Sequence, residues 1–281
     1  MHIGVCIFAT EYAIRIDELA REAEARGFES LWVPEHTHIP TSRRSPFAGG
    51  QLPEEYKHTL DPFVSLMAAA AATTKLRIGT GICLIIERDT ITTAKSVATL
   101  DLLSNGRFEF GIGGGWNAEE MEHHGTIFKS RFQRLREQVL AMKELWTKDV
   151  AEYRGDFVGF EPSWAWPKPA QKPHPPVLLG GESSYTLQRV VEFCDGWFPR
   201  ARNAERVLSG LAELKERAAK AGRDMKTIST SVFGAGPDPA TLDKWAAGGI
   251  TRAILRLPPE GRDKVLPLLD QWAKLIKGSA S

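Results

Sequence analysis

Short β-type runs alternate with helical runs from one end of the 281-residue chain to the other, eight times over, and few folds accept such a rhythm. HIGVCIF (2–8) is followed by IRIDELAREAEARG (14–27), in which Ile16, Leu19, Ala20 and Ala23 recur at helical spacing before Gly27. The pairing returns at 30–34 with 61–74, 76–86 with 90–106, 107–113 with 131–146, and 177–181 with 186–194. Residues 195–199 with 203–221, 227–236 with 242–249, and 251–258 with 261–276 complete the set. Near-continuous apolar strands, each followed by a helix, predict an α/β protein with a parallel sheet covered by helices. Eight such units predict closure into a (β/α)8 TIM barrel, a single domain over 1–281. An open doubly wound sheet is the other arrangement the periodicity allows, and the repeat count favours the barrel.

Two segments break the rhythm. Residues 37–58, THIPTSRRSPFAGGQLPEEYKH, follow the second strand. Residues 149–176 form a Pro-rich insertion after strand 4 and its helix, with EYRGDFVGF as a small hairpin around Arg154-Gly155-Asp156. Both are expected around the loops that follow strands, where a barrel carries its site, as lids that set the substrate. Trp164 and Trp166 there either line an apolar channel or pack the loop. A formal net charge of +1 leaves no one-signed surplus for nucleic acid or an anionic membrane. The longest apolar stretch, 63–72, is too short to span a bilayer, and MHIGVCIFATEY lacks the pattern of a signal peptide. Cys6, Cys83 and Cys194 are scattered, as in a reduced cytoplasmic protein.

GRFEFGIGGGWNAEEMEHHG (106–125) carries Gly111, Gly113, Gly114 and Gly115 at the fourth strand. A dinucleotide fingerprint needs GxGxxG at the first strand-to-helix turn, and here Trp116 takes the place of the last glycine. Asn117 and Glu120 fit a capping box for a following helix. Three consecutive glycines cost conformational entropy unless something approaches the backbone, and bare main chain at the barrel mouth suits a flat cofactor ring. Gly79 and Gly81, two residues apart in the third strand, leave one face bare in the same way.

SLWVPEHTHIP places Glu35, His36 and His38 just beyond the second strand, where barrel catalytic groups gather. His36 and His38 suggest a metal pair that lacks an evident third ligand; solvated loop histidines are the plainer alternative. The favoured role is acid/base chemistry by Glu35 and His36, because imidazole exchanges protons near neutral pH. LLGGESSYTLQRVVEF (178–193) sets Gly180, Gly181, Ser183, Ser184 and Thr186 at a helix start, as a phosphate seat or a plain N-cap. Arg131 is a candidate counter-charge.

In this order, GFESLWVPEHTHIP, LRIGTGICL, TTAKSVATLDLLSNGRFEFGIGGGWNAEE, RFQRLREQVLAMKELW, PPVLLGG and FCDGWFP resemble the bacterial luciferase-like monooxygenase family, and within it the coenzyme F420 (deazaflavin)-dependent oxidoreductases. The resemblance covers nearly the whole chain. It implies a luciferase-like barrel that binds a flavin or deazaflavin, and a homodimer. It implies an acid–histidine pair at Glu35 and His36, and a third-strand bulge whose non-prolyl cis peptide, at Gly81-Ile82, presses on the ring. It places Gly113, Gly114 and Gly115 against the cofactor. It gives the phosphate to Gly180, Gly181, Ser183 and Thr186, with Arg131 assisting. Three departures stand out. Ile86 and Thr90 replace prolines of close relatives, Gly114 replaces Thr or Arg of other branches, and Trp116 stands where the sugar-phosphate dehydrogenase branch has a catalytic Glu.

The function expected is F420-dependent hydride transfer to or from a small organic substrate. The alternatives are an FMN-dependent monooxygenase served by a separate reductase, a metal-dependent hydrolase using His36 and His38, and a flavin-binding protein that keeps the fold without the chemistry.

Overall fold

Ten strands and nine α-helices are present in the computed structural model, which describes residues 1–278. The strands are β1 (His2–Cys6), β2 (Ser30–Val33), β3 (Arg77–Thr80), β4 (Phe108–Ile112), β5 (Ala151–Arg154), β6 (Gly159–Ser163), β7 (Val177–Gly180), β8 (Gly196–Phe198), β9 (Ser229–Ala235) and β10 (Arg252–Arg256). The helices are α1 (Ile16–Ala25), α2 (Pro62–Ala71), α3 (Thr90–Leu103), α4 (Ala118–His123), α5 (Arg131–Thr147), α6 (Ser184–Phe193), α7 (Ala204–Lys220), α8 (Pro239–Gly248) and α9 (Arg262–Gly278). Eight parallel strands close in the order β1-β10-β9-β8-β7-β4-β3-β2, the barrel that the eightfold repeat predicts. β5 and β6 form the separate antiparallel hairpin expected around Arg154-Gly155-Asp156.

The bore is packed with side chains. Cys6, Trp32, Leu178, Phe198 and Ile254 fill it, with Ile82 and Phe233 packed against them at the mouth. This explains Gly79 in β3 and Gly81 just beyond its end. A Cβ on Gly79 would come within 2.4 Å of Trp32, and one on Gly81 within 2.5 Å of Phe233. Both bare positions make room for aromatic rings, whose buried area dominates such a core. The regular strand is shorter than the 76–86 expected: it ends at Thr80, the Gly81-Ile82 peptide is cis, Cys83 pairs once more with Ile112 as an isolated parallel bridge, and a 3-10 turn follows at Ile85–Glu87. Below the apolar layer the N-terminal end of the bore is plugged by charge. Arg252 donates to both oxygens of Glu29, at 2.7 and 2.6 Å, and to Glu109 at 3.2 Å.

One expectation fails. The 149–176 insertion follows helix α5 and leads into β7, so it lies at the end where strands begin. Gln171 donates to Asp101 and to the Phe108 carbonyl, Arg77 donates to Gln171, and Lys168 closes on the Leu145 carbonyl. It belongs to a helix-to-strand connection, which a parallel barrel returns to the face opposite its site. Trp164 and Trp166 are exposed there and do not line the mouth.

Candidate active site

At the mouth, His36 stands on the loop leaving β2, its side chain 7% exposed, with Nδ1 2.8 Å from a carboxylate oxygen of the fully buried Glu120 on α4. A carboxylate only accepts, so Nδ1 is the donor of this bond, which fixes the tautomer that leaves the Nε2 lone pair free whenever the ring is neutral. Among the described residues Nε2 has no hydrogen-bond partner. The imidazole lies under an aromatic cover: the Tyr56 and Trp116 rings are 5.1 and 5.8 Å from it, centroid to centroid, and Phe47 contacts both. A proton-exchanging nitrogen under an apolar roof is the arrangement general acid–base catalysis needs.

Glu35 is not the partner of His36. Its carboxylate accepts from the Leu84 amide and from Arg88 Nε, both at 2.6 Å, and Arg88 also holds Asp61. Asp61 in turn caps α2. Successive side chains leave the strand end on opposite sides, so Glu35 braces the segment after β3 while His36 faces α4. The partner that matters is Glu120, which in the sequence reads only as half of a capping box. Asn117 does accept from the Glu120 amide, at 3.5 Å, but the Glu120 carboxylate turns to His36 and to the Thr37 amide at 2.9 Å. The dense run of acids and histidines in WNAEEMEHHG was the available signal.

The 37–58 insertion packs on the start of α4. Glu119 accepts from the Ser42 hydroxyl and from the Arg44 and Ser45 amides, and Ala118 N–H donates to Ser45. The Ser42 hydroxyl and these amides hold the Glu119 pKa down at about 2. His38 Nε2 lies 2.7 Å from His123 Nδ1, and Thr37 bridges His38 and His124. So His36 and His38 turn to different partners and do not converge. Among the described residues no group of three or more His, Cys, Asp or Glu side chains is placed to hold a metal.

The glycine loop is explained differently from the expectation. A Cβ on Gly113 would meet Ile82 at 2.4 Å, on Gly114 Phe132 at 2.6 Å, and on Gly115, which has φ +62°, Met121 at 2.6 Å. The protein's own side chains occupy the space beside these glycines, so their bareness is no argument for a flat ring. Ile82 also packs on Gly180, which places the segments after β3, β4 and β7 together around one side chain.

At the other side of the mouth Ser183 caps α6, accepting from the Thr186 amide at 3.1 Å, while its hydroxyl lies 3.0 Å from that of Thr186. Thr186 folds over Gly181, where a Cβ would come within 2.8 Å of its hydroxyl. Arg131 begins α5; its guanidinium covers Phe128 at 3.7 Å and Phe132 at 4.6 Å, and Arg189 of α6 covers Phe132 at 4.1 Å. Burial, and then the other cation, lower the pKa of Arg131. Its buried Nε has no partner, and neither guanidinium meets a carboxylate among the described residues. Arg131 and Arg189 thus meet over the Phe132 ring without an ion pair, although the Glu192 charge acts on Arg189, and the start of α6 offers free N–H groups of the kind that seat an anion. Next to this seat a cleft of about 280 Å³ is lined by Ser183, Trp197, Arg200, Arg202, Asn203 and Arg206 among others. Arg200 is held by Glu182 at 2.8 and 2.7 Å, which leaves Arg202 and Arg206 as the available charges.

A family model described as luciferase-like monooxygenase matches residues 1–265. An uncharacterized protein of Mycobacterium tuberculosis is 40% identical over 280 residues, spanning 97% of this chain and 98% of its own length. Two solved structures share the fold at 19% identity, each covering all of both chains. One is a monooxygenase from Streptomyces bottropensis, with a TM-score of 0.81. The other is an F420-dependent secondary alcohol dehydrogenase in complex with an F420–acetone adduct, with a TM-score of 0.80. No described helix is long and apolar enough to cross a membrane.

Proposed function

This chain belongs to the luciferase-like monooxygenase family and is an oxidoreductase of it, and from that premise we propose that it uses F420 to move a hydride to or from a small organic substrate. The observation that carries the choice of cofactor is the cleft beyond the anion seat. FMN ends at its phosphate, whereas F420 continues into a carboxylate-bearing tail. Arg202 and Arg206 extend positive charge past Ser183 and Thr186, and guanidinium groups pair with carboxylates in a bidentate manner. Phosphate on the amides and hydroxyls of α6, with Arg131 close by, would leave the tail along this cleft.

When bound, the deazaflavin supplies the hydride chemistry. The chain supplies the rest. His36 Nε2 takes a proton from a substrate hydroxyl, or returns one to a substrate carbonyl oxygen. Glu120 holds the ring in the tautomer that leaves Nε2 free and stabilises the imidazolium. Tyr56, Phe47 and Trp116 keep water from the exchange and favour an apolar substrate. The enzyme acts as a cytoplasmic homodimer in this account. Titrating the Trp fluorescence of the purified protein, Trp197 included, with F420 and then with FMN tests the assignment. Tight binding of F420 and weak binding of FMN is expected; tight FMN binding with none for F420 overturns it.

A further inference from the structure

Glu87 closes the turn after β3. It is 6% exposed, no donor reaches either of its carboxyl oxygens among the described residues, and the group within hydrogen-bond reach is the Glu120 carboxylate, an acceptor that can pair with Glu87 only when Glu87 carries a proton. An ionised carboxylate so placed is costly enough that such groups keep a proton instead. The charged groups that face it are Glu35 from the end of β2, Glu120 from α4, and Arg88 from its own turn. Arg88 is already shared between Glu35 and Asp61. From α5 comes Gln138, uncharged, which donates to the Ile85 and Arg88 carbonyls. Burial first, and then the Glu120 and Glu35 charges, push the Glu87 pKa up to about 9.

We propose that Glu87 is a positioning residue for His36: it stays a neutral carboxylic acid at neutral pH, so that Glu120 remains the only carboxylate charge set directly against the imidazole, and its ionisation under alkaline conditions disturbs that pair. Neutral Glu87 adds nothing to the field in which His36 titrates. Ionised Glu87 adds a third carboxylate beside Glu35 and Glu120, which changes the environment of the imidazole and opposes the ionised state of Glu120. The importance of this for turnover rests on the role proposed for His36, whereas the protonation itself is read in cofactor-free protein, so either can fail without the other.

The test is an NMR titration of the His36 imidazole in cofactor-free protein from about pH 5 to about pH 11, alongside the infrared band of protonated carboxyl groups. In the wild type, the imidazole resonance shows an alkaline inflection that coincides with loss of the carboxyl band. Glu87→Gln abolishes both features and leaves the main His36 midpoint where it was, because a neutral group replaces a neutral group. Glu120→Gln, which removes the repelling charge, moves the alkaline inflection to lower pH. Absence of that inflection in the wild type overturns the proposal, and so does a lowered main midpoint in Glu87→Gln, which would mean that Glu87 is already ionised. Should Glu87→Gln not fold, the wild type and Glu120→Gln decide the matter.

Discussion

His36 and Glu120 are separated by 84 residues in the sequence and by 2.8 Å in the fold. The bond joins the loop after the second barrel strand to the short helix after the fourth, across the rim of the mouth. It fixes both the rotamer and the tautomer of the one imidazole that faces the aromatic cover.

Replacing His36 by Ala should therefore cost turnover far more than cofactor affinity. General acid–base groups contribute about 10²–10⁴-fold, and a loss of kcat in that range with cofactor Kd nearly unchanged is expected. Glu120→Gln should give a smaller loss together with an altered pH profile, because the ring keeps a polar partner and loses a charge. Steady-state kinetics beside a cofactor titration separate the two effects; equal loss of affinity and turnover would reduce His36 to a wall of the pocket.

Gly114→Val should destabilise the protein, by about 1–3 kcal/mol for an overpacked site, because its Cβ meets the Phe132 ring. A smaller residue at 132 should recover part of the loss. Thermal unfolding of Gly114→Val, Phe132→Leu and the double variant gives the coupling directly. Additive effects would mean that the two positions do not touch.

The fold was legible because apolar periodicity is local: Leu19, Ala20 and Ala23 announce the buried face of α1 without help from the rest of the chain. The site was legible only where one short stretch carries it. Ser183 and Thr186 lie three residues apart, and their cap could be read directly. Glu120 looked like a helix cap because its distant partner is invisible in a linear string. Gly113–Gly115 looked like room for a ligand because Ile82, Phe132 and Met121 arrive from other segments. The 149–176 insertion follows the helix expected at 131–146, so the strand–helix order alone assigns it to the end where strands begin; its length and prolines suggest a lid and obscure that order.

Removing the Glu119 staple should loosen the 37–58 insertion and spare the barrel. Glu119→Ala should speed proteolytic cleavage within 41–50 and raise KM, with a small change in melting temperature. In the wild type the carboxyl pKa is depressed in the fold, so its contribution is fully present above the ordinary carboxylate pKa. It is lost as pH falls toward about 2. Protection of the insertion measured by limited acid proteolysis should therefore persist at mildly acidic pH; loss of protection near neutrality would show that the histidines, not Glu119, hold it.

The most direct measurement is a crystal structure of the protein with F420 bound. The reactive face of the ring is expected beneath Tyr56 and Trp116, with room for a substrate oxygen within hydrogen-bond reach of His36 Nε2, about 3 Å. The phosphate is expected on Ser183 and Thr186, and the tail along Arg202 and Arg206. A ring bound away from His36, or a phosphate that ignores the start of α6, would contradict the account.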